Sequence, residues 1–139
     1  MNQRGVRQGG YWICTGLMAL WLIPSGMLDL LRVPAVLGIL QHLGYPAYLA
    51  SILGAAKLLA MAAIFYPRTR ILREWAYAGL TFNLLGAFLS HAAVHDSIPT
   101  RMTPLLVLAF VAGSYFLRPD SFRLRPVSDL APAGDVSVR

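Results

Sequence analysis

The sequence predicts an all-α protein, a four-helix transmembrane bundle with its N and C termini on the cytoplasmic side, and three observations predict it. The first is composition: of 139 residues, 57% are hydrophobic and 13% charged, about half the roughly 25% charge of a soluble domain, with a mean hydropathy of +0.58. A water-facing surface cannot be made from that stock. The second is four apolar stretches, over residues 11–31, 46–66, 74–94 and 102–117, each near the roughly 20 residues that cross about 30 Å of hydrocarbon. The third is the placing of the arginines, which cluster between the stretches with a strong bias to one side.

The elements follow in order. Residues 1–10 are polar and glycine-containing and read as a short cytoplasmic segment. Arg4 and Arg7 before the first stretch are also what a signal peptide carries. That stretch is long, however, lacks an Ala-x-Ala site after it, and runs through Pro24-Ser25-Gly26 into more apolar sequence. It is expected to stay as a span. Pro24 removes one helical hydrogen bond and is expected to kink the helix. Small and polar residues mark the seams along which membrane helices pack. The first span offers Thr15, Met18, Leu22, Ser25 and Asp29, and the second Ala50, Gly54, Lys57, Met61 and Ile64. The third offers Ala76, Gly79, Asn83, Gly86 and Ser90, whose alternating spacing of three and four reads as a left-handed packing seam. The fourth, the shortest, offers Thr103, Val107, Phe110 and Ser114. Residues 118–139 mix Pro, Ser, Asp, Ala and Gly without apolar periodicity, and are expected to form a disordered cytoplasmic tail.

With four spans, Arg4 and Arg7, Arg68, Arg70 and Arg73, and Arg118, Arg123 and Arg125 all fall on one side, against Arg32 and Arg101 on the other. Positive residues stay inside, so the termini are expected in the cytoplasm and the protein in the cell membrane as a multi-pass chain. The net charge of +6 does not point to nucleic acid, because the basic residues flank apolar runs instead of forming a stripe. Cys14 is the single cysteine, which excludes an internal disulfide and a cysteine-rich metal knot. No nucleotide-binding glycine loop, zincin helix or nucleophile elbow is present.

What remains is a small set of polar groups among the apolar ones. Lys57 is the only lysine, eleven residues in from Pro46, which places it about 16 Å deep in a helix rising 1.5 Å per residue. A charge at that depth costs about 2.5–3.5 kcal/mol on insertion scales and calls for a partner. Asn83 shares its depth, so a polar centre is expected in which Lys57 faces Asn83 and nearby carbonyls. Asp29 ends the first span, where a negative charge opposes the helix dipole; Arg32, one turn on, is its expected partner. His91 and His95 stand four apart, with Asp96 following and His42 in the outer loop. The candidate intramembrane pocket is therefore Lys57, Asn83, His91, Asp29, Ser25 and Ser90, and its outer rim His42, His95, Asp96, Arg32 and Arg101. No metal site is expected, and two same-face histidines one turn apart cannot be opposite axial ligands of one haem iron. Glu74 opens the third span as a dipole-favoured acidic residue without assigned chemistry.

The chain resembles the DoxX-like family of small membrane proteins. The resemblance is carried by Thr15-Gly16-Leu17, Ser25-Gly26, His42-Leu43-Gly44-Tyr45-Pro46, and Ile52-Leu53-Gly54-Ala55-Ala56-Lys57-Leu58-Leu59. It continues through Pro67, Glu74-Trp75-Ala76-Tyr77-Ala78-Gly79, Gly86-Ala87 and Ser90-His91, with Ser114-Tyr115 and Arg118-Pro119 near the end. His95 departs from the pattern, where a small residue stands, so no role passes to it. The resemblance implies a four-helix membrane fold. Family members are similar to subunits of membrane redox systems such as thiosulfate:quinone oxidoreductase, or to accessory and assembly proteins; quinone is the one cofactor the resemblance suggests. It brings no universal catalytic residue.

Two functions are expected from this. One is an accessory subunit of a membrane redox or other membrane complex, contacting lipid and a partner subunit or a second copy of itself. The other is an enzyme or binding protein for a lipophilic small molecule, such as a quinone or isoprenoid, that meets Lys57, Asn83 and His91 from within the bilayer. A cavity reaching Lys57 favours the second, and a filled interior the first.

Overall fold

The computed structural model describes residues 3–66, 70–119 and 122. It consists of helices α1 (Gln3–Leu30), α2 (Pro34–His42), α3 (Tyr48–Phe65), α4 (Arg70–Ala93) and α5 (Ile98–Leu117). Among the described residues there is no strand, and the all-α expectation holds. Three of these helices, α1, α3 and α5, are long and apolar enough to cross a membrane. α4 has 24 residues but is diluted by Thr81, Asn83, Ser90 and His91.

Two boundaries differ from the sequence reading. α1 begins at Gln3, so residues 3–10 continue the first helix; Arg7 and Gln8 are good helix formers, and the glycines only weaken the run. The outer loop contains α2, which starts on Pro34 in its first turn and continues through Ala35-Val36-Leu37 to Ile39-Leu40. Nine residues are too few to register as a span, and Pro at a helix start is favourable. The tail expected to be disordered lies outside the described residues except for Arg118, Pro119 and Phe122. Arg118 is buried, paired with Glu74, and its guanidinium lies 4.2 Å from the Tyr115 ring centre.

Three helices end in the same way. α1, α2 and α4 close with paired backbone bonds: Val33 N–H to the Leu28 carbonyl with Arg32 N–H to Asp29, Tyr45 to Leu40 with Gly44 to Gln41, and Asp96 to His91 with His95 to Ala92. This arrangement needs a left-handed residue at the turn. Gly44 supplies one at φ 80°, but Arg32 (51°) and His95 (57°) do so against the preference of side-chain-bearing residues.

In the packing, α1 and α4 each lie against both α3 and α5, which closes the four long helices into a ring, and α2 rests on α3. The half nearer the N-terminus of α1 is filled. Met18 and Leu22 of α1, Met61 and Ile64 of α3, Tyr77, Leu80 and Leu84 of α4, and Val107 and Val111 of α5 form one buried cluster. A hydroxyl chain runs through it. Thr15 donates to the Tyr11 carbonyl (2.7 Å), so its oxygen can only accept from Ser114 (2.7 Å), and Ser114 in turn accepts from Tyr77 (2.7 Å). The outward faces are apolar on every long helix: Leu20 is 74% exposed, Leu59 70%, Phe82 75% and Phe116 69%. A soluble protein does not present such a belt on all sides. These are lipid-facing surfaces.

The seams of α1 and α3 are those expected. Thr15, Met18, Leu22 and Asp29 are buried, as are Ala50, Gly54, Met61 and Ile64. In α5 the buried line is Pro104, Val107, Val111 and Ser114, with Pro104 in place of Thr103 and Val111 in place of Phe110. α4 departs most. It packs through Arg73, Ala76, Tyr77, Leu80 and Leu84, while Gly79 and Gly86 of the expected seam are exposed. The small residues there leave space instead of closing it.

Candidate functional site

That space is a cavity of about 510 Å³ in the half away from the filled core. α1 contributes Trp21, Ser25, Leu28 and Asp29; α2 covers it with Val36, Ile39 and Leu40; α3 adds Ala50, Leu53 and Lys57; and α4 presents Asn83, Gly86, Ala87, Ser90 and His91. The α4 residues recur at helical spacing along one face. Trp21, Leu28 and Phe82 line the cavity and are also exposed, so it opens sideways onto the lipid-facing surface. Its size lies within the about 300–1,000 Å³ of small-molecule sites.

The floor is an ion pair. Lys57 Nζ donates to Asp29 Oδ2 at 2.7 Å and to Ser25 Oγ at 2.9 Å, and the two charged side chains are 14% and 10% exposed. The pair forms where α1 and α3 come closest. A Cβ on Gly54 would stand 2.6 Å from the Gly26 carbonyl oxygen and 2.6 Å from the Leu30 nitrogen, and one on Gly26 would stand 3.2 Å from Lys57 Cβ. Two glycines therefore bring the helices together and let a short carboxylate reach the lysine. The expected partners are corrected here. Lys57 bonds Asp29 and Ser25, while Asn83 shares the cavity wall with it. Asp29 pairs with Lys57 and not with Arg32, because the left-handed turn at Arg32 sends its side chain to Ser51 Oγ, 2.7 Å from Nε.

The opposite end is held by Asp96. His91 Nδ1 lies 2.6 Å from its Oδ2 and His42 Nε2 lies 2.8 Å from its Oδ1. The turn that ends α4 folds Asp96 back over His91, which also accepts the Asp96 backbone N–H. The hydrogen bonds from His91 and then His42 hold the Asp96 carboxyl below its ordinary value of 3.8. Among the described residues, no group of three or more His, Cys, Asp or Glu is arranged to hold a metal ion. Beside this latch, Tyr45 bonds Ser90 (2.8 Å), which donates to the Gly86 carbonyl (2.8 Å).

The remaining rim residues stand apart. His95 is exposed and serves as the left-handed residue closing α4, and Arg101 lies in the first turn of α5. Sequence reasoning missed Tyr45, Trp21 and the whole of α2. Tyr45 carried a signal in its place between Gly44 and Pro46, beside the histidine loop. It also missed that Arg73, counted as a flanking arginine, is 1% exposed. Its Nη2 donates to the Tyr66 carbonyl (3.0 Å) and its guanidinium stacks 4.3 Å from the Phe122 ring centre.

The profile of the DoxX-like family matches residues 13–114, most of the chain and all of the cavity lining. The chain belongs to the DoxX-like family. No curated protein and no solved structure matches it. Family membership and the apolar helices together make this DoxX-like protein a membrane protein.

Proposed function

We propose that this DoxX-like protein binds a lipophilic small molecule, taken up from the bilayer into the cavity between α1, α3 and α4. The observation that carries the reading is a cavity of about 510 Å³ with apolar walls, opening at Trp21 and Phe82 and ending on the Lys57–Asp29 pair. Intramembrane ionisable groups that face a cavity are functional by default, since each charge there has to be offset. The chain sits in the cell membrane with four spans, α4 joining α1, α3 and α5, and with both termini cytoplasmic. The exposed Phe82, Leu85 and Leu89 of α4 and the arginine bias support that topology.

The test uses Gly86, where a Cβ would meet nothing within 4 Å. Gly86→Leu puts a branched side chain into the cavity from a position where its Cβ meets no neighbour. Organic extraction and native mass spectrometry of the wild type should yield a bound lipophile that the variant, equally stable, lacks. Identical extracts from both would sink the reading.

A second reading, an accessory subunit of a membrane redox or other complex, is favoured by a neighbouring groove that shares Lys57 and Asn83 with the cavity. Along α3 and α4, Ala56, Ala60, Ala63, Ala76 and Gly79 form a lipid-facing furrow of about 450 Å³ beside the exposed Trp75, the small-residue surface on which membrane helices dock.

A further inference from the structure

The hydrogen bonds around the cavity fix which protons its two ends can still give. Near α2, the Ser90 proton goes to the Gly86 carbonyl, so Tyr45 must donate to Ser90 and its own proton is committed. Asp96 accepts from both histidines through separate oxygens. In its neutral form His91 therefore carries its proton on Nδ1. The imidazole forms the wall between the cavity and an outer groove that Asp96 lines. Because the two ring nitrogens point to nearly opposite sides, an Nδ1 turned to Asp96 leaves the Nε2 lone pair facing the cavity. With His91 neutral, this end accepts and has no proton left to donate.

The other end is the reverse. A lysine ammonium has three N–H donors, and Lys57 directs two of them to Ser25 and Asp29. The third remains for a ligand. Lys57 and Asn83 line the same two cavities side by side, and Asn83 and His91 are eight residues apart on α4, about 12 Å along the helix axis.

We propose that the cavity selects a neutral, elongated lipophile bearing a hydroxyl, received by His91 Nε2, and a hydrogen-bond acceptor about 12 Å away, received by Lys57. Asp96 is then a positioning residue that fixes the His91 tautomer. The proposal rests on the cavity-binding reading above and adds the polarity of the ligand to it.

The probes are the methyl ester of ω-hydroxydecanoic acid, its ω-methoxy analogue, and decanol, titrated against the full chain in lipid nanodiscs. Affinities are expressed per mole fraction of each probe in the lipid, so differences in membrane partitioning cancel between probes as well as between variants. The hydroxy ester is expected to bind about tenfold more tightly than either analogue, the worth of one good hydrogen bond. His91→Phe should abolish the preference over the methoxy compound, and Lys57→Met the preference over decanol. Asp96→Asn keeps the shape of the latch, so it serves where the other variants fold poorly. It should abolish the methoxy discrimination and move the His91 imidazole ¹⁵N shifts away from the Nδ1–H tautomer. Equal binding of all three probes by the wild type overturns the polarity while leaving the cavity reading intact. If no probe binds and no lipophile is extracted from the protein, both fall together.

Discussion

Lys57 Nζ and Asp29 Oδ2 meet at 2.7 Å across the level where Gly26 and Gly54 let the backbones of α1 and α3 touch. Removing one member of such a pair leaves the other charged, desolvated and unmatched, which is worse than having neither. Lys57→Met and Asp29→Leu are each expected to lower stability by about 3–5 kcal/mol. The double variant should recover much of that loss. Additive losses in a double-mutant cycle, read by steric-trap or denaturant unfolding, would show that the two charges do not act together.

Gly54 tests the helix contact itself. A methyl there collides with backbone atoms that have no rotamer to escape by, so Gly54→Ala should cost about 1–3 kcal/mol. Gly38, whose Cβ would meet nothing within 4 Å, provides the matched control: Gly38→Ala should be neutral or slightly stabilising, as expected for a helix interior. Equal thermal stabilities for the two variants would contradict the close approach of α1 and α3.

His95 holds a left-handed conformation at φ 57°, which costs a side-chain-bearing residue about 1–2 kcal/mol. His95→Gly should therefore raise the melting temperature while leaving ligand uptake unchanged. A fall in either would give His95 a role beyond closing α4.

Asp96 sets an acid limit on the latch. A carboxyl whose pKa is lowered by folding contributes stability that is complete above its unfolded value, here 3.8, and is lost as pH falls through the folded one. The advantage of the wild type over Asp96→Asn should thus be present at neutral pH and vanish on acidification below about 3.8. Hydrogen exchange of the α2 amides reads it directly. An advantage that persisted at the acid end would place the stabilisation elsewhere.

The helices were legible in the sequence wherever side chains both fill and pack. Ala50, Gly54, Met61 and Ile64 alternate small and large groups, and one periodic stripe identifies the buried face. The same logic misread α4. Gly79, Asn83, Gly86 and Ser90 have the spacing of a seam, but smallness allows either close approach or empty space, and the facing helix decides which. The partner of Asp29 was hidden for a related reason. Arg32 is near it in sequence, whereas Lys57 reaches it because of two glycines on different helices. α2 was invisible because nine residues under a proline give no membrane-length signal.

The committed protons of the Tyr77–Ser114–Thr15–Tyr11 chain have a mechanical consequence. They clamp α1, α4 and α5 at the closely filled end, where rearrangement would break several bonds at once. At the roofed end the ties run between pairs of elements, Lys57 to Asp29 across α1 and α3 and Asp96 to His91 and His42 at the rim, and α2 itself leans on α3 and is tied at His42. Compliance is thus graded along the bundle, from a rigid base to a looser outer end, the half in which the side opening at Trp21 and Phe82 lies.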